Sequence, residues 1–142
     1  MLPIVHIIIS AIFSFLALFF YNDYLFWALF FLSAVLIDFD HYLYYVYKKR
    51  DLSLPRAYEY HKYILEIELD KGGQKEILMI FHTIEFFIVL LILSILFSFL
   101  WPIFFGCLFH EAIDLGYGTT QKDKKYKRAF SLIHYVIKSR GK

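Results

Sequence analysis

The stretch YLFWALFFLSAVLIDFDHYLYYVY, residues 24–47, decides the fold of this 142-residue chain. It is almost wholly apolar apart from Asp38, Asp40 and His41. An α-helix that crosses a bilayer needs about 20 mostly apolar residues, so this stretch predicts a transmembrane helix. Ionisable groups inside such a helix are costly, and each of the three is therefore a candidate for a functional site.

Three further segments have the same character: residues 2–21, 77–100 and 101–117. Together the four segments predict an all-α integral membrane bundle of about four transmembrane helices. The composition agrees, because 60% of the residues are hydrophobic and the mean hydropathy is +0.56, whereas soluble domains are about half apolar. Residues 2–21 lack a basic start and a small-residue cleavage site, so we interpret them as an uncleaved anchor rather than a signal peptide.

The connections between the predicted helices differ in charge. Two short turns carry no lysine or arginine, whereas residues 48–76 and the segment after Gly118 are rich in both. The positive-inside rule places such basic segments in the cytoplasm. We therefore expect one membrane domain, residues 1–121, in the cytoplasmic (inner) membrane, followed by a basic cytoplasmic tail, residues 122–142. Both termini are expected on the cytoplasmic side.

Local patterns predict where some helices begin and end. Ser53 before a Leu-Pro pair is typical of a helix start, and it favours an interfacial helix in the cytoplasmic loop. Residues 65–69 of the same loop alternate between apolar and acidic side chains, a pattern typical of a strand. In the last predicted helix, Gly116 and Gly118 are expected to end the helix.

Ionisable side chains recur in all four predicted helices. They are His6 in the first, Asp38, Asp40 and His41 in the second, His82 and Glu85 in the third, and His110 and Asp114 in the fourth. If the helices alternate in direction, all of these positions lie roughly 5–15 Å below the cytoplasmic surface, at a rise of 1.5 Å per residue. Spacings of three or four residues place partners on one helix face. The sequence therefore predicts a polar cluster near the cytoplasmic leaflet.

Metal binding matches the energetic cost of these groups. An ionised side chain at a helix centre costs about 2.5–3.5 kcal/mol, so four carboxylates cost on the order of 10 kcal/mol together. One structural zinc ion contributes on the order of 10–16 kcal/mol. Imidazole and carboxylate ligands without a thiolate suit Zn²⁺, Mn²⁺ or Fe²⁺, and the number of candidates allows one or two divalent ions.

We expect seven residues to bind metal: His6, Asp38, Asp40, His41, His82, His110 and Asp114. Glu85 is predicted to be the catalytic general base or a further ligand. His61 and His134 lie outside the predicted helices and are expected to be surface histidines, with a further metal ligand as the weaker alternative for His61. Because Cys107 is the single cysteine, an intrachain disulfide and a cysteine-rich zinc motif are excluded.

The order of these motifs resembles a known family. His6, D-F-D-H at residues 38–41, His82 with Glu85, and Gly106-x3-His110-x3-Asp114 with Thr119 following are similar to the membrane-bound metal-dependent hydrolases. These are also described as LexA-regulated inner-membrane hydrolases of the YdjM type. That family often has a T-H-S motif where this chain has H-T-I-E. The resemblance implies a hydrolase.

The depth of the predicted cluster suggests which molecules it meets. Because it lies near the headgroup layer, a lipid-linked phosphoester or ester is the expected substrate class. Membrane lipids are the expected partners, and no nucleic acid is expected.

Three other functions are compatible with the same residues. His110-Glu111-x-x-Asp114 is similar to the zincin motif H-E-x-x-H, and predicts an intramembrane protease with Glu111 as the base. An ion carrier needs polar groups across the whole bundle, yet the outer half is almost wholly apolar. A metal-stabilised membrane protein without catalysis would have the same sequence features as an enzyme.

Overall fold

The computed structural model describes residues 3–64, 76–120 and 127–140 of the chain. Its helices are α1 Pro3–Ala17, α2 Tyr24–Leu36, α3 Phe39–Lys49, α4 Leu54–Glu59, α5 Ile84–Leu96, α6 Trp101–Thr120 and α7 Leu132–Arg140. A π-helical turn, Tyr60–Ile64, continues α4, and 3-10 turns occupy Ile80–His82 and Ser98–Leu100. Two-residue strands, β1 Glu76–Ile77 and β2 Lys127–Arg128, pair in parallel. The predicted helical class is confirmed for the described residues.

Two helical stretches among the described residues are long and apolar enough to cross a membrane. They are Tyr24–Lys49, which contains α2 and α3, and Ser98–Gly116, which contains most of α6. The other two apolar helices, Ile4–Ala17 and Ile84–Leu96, are shorter than a span normally requires. The complete four-span bundle stays a prediction.

The predicted third helix is short because its first residues adopt other conformations. Thr83 is extended, with φ −94° and ψ 152°, so it separates the 3-10 turn that contains His82 from α5. Its hydroxyl accepts a hydrogen bond from the Phe86 N–H at 3.4 Å, in the manner of a helix cap. His82 and Glu85 therefore do not share one helix face, contrary to the prediction from their spacing.

Side-chain caps explain other helix boundaries. The Ser53 hydroxyl accepts from the Arg56 N–H at 3.5 Å and confirms the predicted start of α4. The Asp23 carboxylate accepts from the Phe26 N–H at 3.0 Å and begins α2. Residues 65–69, the predicted strand-like segment, lie outside the described residues.

Helix α6 runs to Thr120, beyond the two glycines that were expected to end it. A glycine costs a helix about 1 kcal/mol relative to alanine, but it leaves the backbone hydrogen bonds intact. The expected end at Gly116 and Gly118 is therefore wrong.

The chain divides into two compact units. The first contains Met1–Ile37 and Phe87–Lys122, and the second contains Asp38–Phe86 and Asp123–Lys142. The expected single membrane domain, residues 1–121, with a separate basic tail, residues 122–142, stays a prediction. In the second unit a core of buried residues joins α3, α4 and β1: Tyr45, Ala57, Tyr60, Ile77 and Met79.

In the first unit, α2 and α6 approach each other closely at Gly106. A Cβ atom there would lie 2.1 Å from the Ser33 Oγ and 2.3 Å from the Phe30 carbonyl oxygen. Neither distance is possible for real atoms, so only glycine fits this contact. Small residues at helix contacts are typical of membrane helices, whose association depends on close packing.

Replacing Gly106 by alanine is therefore expected to destabilise the first unit. The Phe30 carbonyl is backbone and cannot move away without shifting α2, and such overpacking costs about 1–3 kcal/mol. Thermal unfolding of the detergent-purified chain would measure the loss. The matched control is Gly116→Ala on the same helix, where an added Cβ meets no atom within 4 Å. Equal melting temperatures for the two variants would contradict the proposed close contact.

Candidate functional site

The first unit brings together three predicted ligands, His6 from α1 and His110 and Asp114 from α6, which we call the first cluster. The His6 Nε2 lies 3.1 Å from the Asp114 Oδ1, and the His110 Nε2 lies 3.9 Å from the Asp114 Oδ2. The two imidazole rings stack with their centroids 4.0 Å apart. One ligand atom from each residue lies within 4.8 Å of the other two, which is compact enough for one metal ion.

A backbone contact determines which nitrogen of His110 faces the cluster. The His110 Nδ1 lies 2.7 Å from the Ala34 carbonyl oxygen. A carbonyl can only accept, so Nδ1 carries the hydrogen and donates it, and Nε2 carries the lone pair of the neutral ring. Histidines that bind metals typically donate from one nitrogen to a carbonyl or carboxylate and bind the metal with the other.

The first cluster is buried. His6 and His110 are 1% and 0% exposed, and Ser10 and Ser14 on the same face of α1 are also buried. Among the described residues, the His6 Nδ1 and both serine hydroxyls have no hydrogen-bond partner. Most buried polar atoms in folded proteins do have partners, so this face of α1 has capacity for a further polar group.

An apolar cleft of about 400 Å³ also belongs to the first unit. Its lining residues come from α1, α2 and α6: Phe13, Phe26, Trp27, Phe30, Phe105, Leu108, Phe109 and Ala112. The Phe13 and Phe109 rings stack with their centroids 4.5 Å apart. Because Phe109 directly precedes His110, the cleft lies next to the first cluster along α6.

The second unit gathers the remaining four predicted ligands, Asp38, Asp40, His41 and His82, which we call the second cluster. Asp40 is its centre and is 4% exposed. Its carboxylate accepts from the Phe81 N–H at 3.0 Å, from the His82 Nδ1 at 2.9 Å and from the His41 Nδ1 at 3.0 Å. One buried carboxylate thus orients both imidazole rings.

The orientation of His82 directs its other nitrogen toward Asp38. Because Nδ1 donates to Asp40, Nε2 carries the lone pair of the neutral ring. This Nε2 lies 3.7 Å from the Asp38 Oδ1, which is too long for a hydrogen bond. The same Asp38 oxygen lies 3.5 Å from the His41 Nδ1. Asp38 therefore presents a carboxylate oxygen beside the nitrogen that a metal would use.

His61, the weaker candidate for a further ligand, is a neighbour of the second cluster. It is half-buried, and its Nε2 donates to the His41 carbonyl at 2.7 Å. Its ring also lies against those of His41 and Tyr60. Burial, reinforced by the charge of His41, lowers the pKa of His61 to about 4, so the imidazole is neutral near pH 7. His61 is thus half-buried rather than fully exposed, whereas His134 is exposed as expected.

Glu85 is directed at α7. Its carboxylate accepts from the Ser131 hydroxyl at 2.5 Å, from the Leu132 N–H at 2.9 Å and from the Ile133 N–H at 3.2 Å. These contacts cap the N-terminus of α7, where backbone N–H groups lack partners within the helix. The geometry gives Glu85 a structural role, and the predicted catalytic role stays a prediction.

All seven predicted metal ligands lie in one of the two clusters, three in the first unit and four in the second. The i,i+4 pair in α6 and the i,i+3 pair at the start of α3 each lie together as their spacing predicted. The expectation that all seven share one depth in the membrane stays a prediction.

Comparison of the chain with family models, with curated proteins and with solved structures gives no match.

Replacing Glu85 by glutamine is expected to loosen the start of α7. Glutamine has one acceptor oxygen and no charge, so it cannot hold three donors at a positively polarised helix N-terminus. Hydrogen exchange of the Leu132 and Ile133 amides should become severalfold faster. Glu59→Gln, the same change at an exposed glutamate, should leave this exchange unchanged. If Glu85→Gln left it unchanged too but abolished turnover, the capping role would be refuted in favour of catalysis.

Proposed function

We propose that this chain is a membrane-embedded, metal-dependent hydrolase that acts on a lipid-linked phosphoester or ester. The observation that carries the proposal is the shared orientation of two buried histidines. In His110 and His82 the Nδ1 donates to the Ala34 carbonyl or the Asp40 carboxylate, and the Nε2 faces an aspartate. Hydrolysis is the activity implied by the resemblance of the sequence.

The separations between ligand atoms fit a divalent cation. Imidazole nitrogens and carboxylate oxygens bind Zn²⁺ at about 2.0–2.2 Å, so neighbouring ligand atoms lie roughly 3–3.5 Å apart. The His6 Nε2 lies within hydrogen-bond distance of the Asp114 Oδ1, at 3.1 Å, whereas the Nε2 atoms of His110 and His82 lie 3.9 and 3.7 Å from an aspartate oxygen. A nitrogen lone pair beside a carboxylate is electrostatically unfavourable, and a cation between them removes the repulsion.

Each cluster would hold an ion through residues of its own unit. His6, His110 and Asp114 would be the ligands of the first cluster, and Asp38 and His82 those of the second, where the His41 Nδ1 donates to Asp40 and leaves only its Nε2 for a metal. Asp40 is better placed to orient His41 and His82 than to bind metal, because hydrogen bonds already occupy both of its oxygens.

A bound divalent ion would polarise a phosphoryl or carbonyl oxygen and lower the pKa of a bound water. The chain's own contribution is to orient the ligands and to exclude solvent from them. Carboxylates and carbonyls that fix ligating histidines also raise their basicity. Burial lowers the local dielectric constant and so strengthens the electrostatic interactions of the ligands.

The apolar cleft supports a lipid as substrate. Phe13 follows His6 by seven residues on nearly the same face of α1, roughly 10 Å further along the helix. Phe109 adjoins His110 on α6. A lipid whose headgroup reaches the first cluster would therefore place its acyl or prenyl chain against the aromatic lining.

The first test is metal content, measured by elemental mass spectrometry on the full chain purified in detergent. We expect stoichiometric Zn, Mn or Fe, with a loss of metal in His110→Ala and in His82→Ala. His134→Ala, which removes an exposed histidine outside both clusters, should retain the metal. Absence of metal after reconstitution with each ion would refute the proposal.

Turnover distinguishes an enzyme from a metal-stabilised membrane protein. The metal-loaded chain would be incubated with lipid phosphoesters and esters, beside the His110→Ala variant, which is expected to lack the ion of the first cluster. Hydrolysis by the loaded chain alone is expected. Stoichiometric metal without hydrolysis of any of these lipids would refute the enzymatic part of the proposal.

Replacing Asp40 by asparagine should weaken metal binding without removing a ligand. The asparagine oxygen can take only one of the two acceptor positions, and its amide nitrogen cannot accept at the other, so His41 or His82 loses its fixed orientation. Loss of such an orienting carboxylate typically lowers metal affinity about 10–100-fold. Competition with a chelator would measure the change. An affinity equal to that of the unmodified chain would refute the orienting role.

A further inference from the structure

Helix α7 exposes an apolar stripe that its own unit does not cover. Ile133 and Ile137 are 61% and 67% exposed, and Phe130, just before the helix, is 67% exposed. At 3.6 residues per turn, Ile133 and Ile137 lie about 40° apart on the helix circumference. Val136 and Leu132, about 60° and 100° from Ile133 on one flank, are half-buried, and so is Tyr135 on the opposite side of the helix. The exposed stripe is therefore one narrow face of the helix.

Basic residues lie on both sides of this stripe. Arg140 lies about 20° from Ile133 on one side, and Lys138 lies about 100° from Ile137 on the other. Both are exposed. Helices that lie in the membrane interface have such an apolar strip flanked by lysine and arginine, which contact lipid phosphates. The charge of the helix is thus complementary to an anionic lipid surface.

The segment before α7 is fixed to the entry of the apolar helix α5. The Ala129 N–H donates to the Ile77 carbonyl at 2.8 Å, and the Ile84 N–H donates to the Phe130 carbonyl at 2.9 Å. The Glu85 carboxylate, in the first turn of α5, then caps α7. If α5 enters a bilayer at its first turn, α7 begins at the bilayer surface.

We infer that α7 lies on an anionic phospholipid surface, with Ile133 and Ile137 among the acyl chains and Lys138 and Arg140 at the phosphates. The inference rests on the membrane location in the proposed function and is independent of metal and of turnover. Its consequence is a chain held at the membrane surface by residues outside both clusters.

The test uses the full chain with Cys107→Ala and one environment-sensitive NBD fluorophore on a cysteine at Ile137 or at Ser139. Ser139 is exposed but lies about 200° from Ile137, so it is the matched control. The protein is reconstituted into phosphatidylcholine vesicles with and without phosphatidylglycerol. Resistance to carbonate extraction first establishes that the chain is embedded, and failure there would refute the membrane location itself.

With phosphatidylglycerol, we expect blue-shifted emission and quenching by doxyl-labelled lipid at position 137, and water-like emission at position 139. Lys138→Glu with Arg140→Glu should lower the equilibrium constant for the lipid-bound helix by at least roughly 30-fold, since each basic residue contributes about fivefold. Water-like emission at position 137 in an embedded chain would overturn the inference. Equal shielding of position 137 in vesicles without phosphatidylglycerol would also overturn it. Shielding of position 137 that increases with the protein-to-lipid ratio would overturn it too, because it would indicate contact with a second copy of the chain.

Discussion

The close contact of α2 and α6 at Gly106 is the constraint on which the first cluster depends. His110 lies one turn after Gly106, and Ala34 lies one turn after Phe30, so the same approach that excludes a Cβ brings the two hydrogen-bonding groups within 2.7 Å. Without that bond the imidazole could expose either nitrogen to Asp114. A steric property of one glycine thus determines which histidine atom is available for chemistry.

In both clusters a histidine is oriented by a hydrogen bond from its Nδ1, but the acceptors differ. In the first cluster, the Ala34 backbone carbonyl orients His110. This carbonyl is uncharged, so no buried charge has to be stabilised. In the second, the buried carboxylate of Asp40 orients His82 and His41, and its negative charge requires all three of its donors. Networks of this kind are stable only when every member is satisfied. The second cluster is therefore the more sensitive of the two to loss of a single member.

The sequence predicted the helical class, the cap at Ser53 and the pairing of His110 with Asp114, because each depends on residues a few positions apart. It missed the break at Thr83, where a side-chain cap outweighs the apolar pattern and separates His82 from Glu85. It also missed the Ala34 carbonyl and the Phe81 N–H. Backbone groups and contacts between distant segments leave no local signal in the residue pattern.

The parallel pairing of β1 with β2 has a consequence for the order of folding. The ladder, the Ile84 contact and the Glu85 cap all join residues 76–85 to residues 127–133. During synthesis, about 50 residues separate the bonded partners, so at typical elongation rates several seconds pass before the second emerges. Until then Glu85 and the edge of β1 have to remain solvated or bind a chaperone. The second unit is thus completed after translation of α6, whereas α1 and α2 are available to fold from the start.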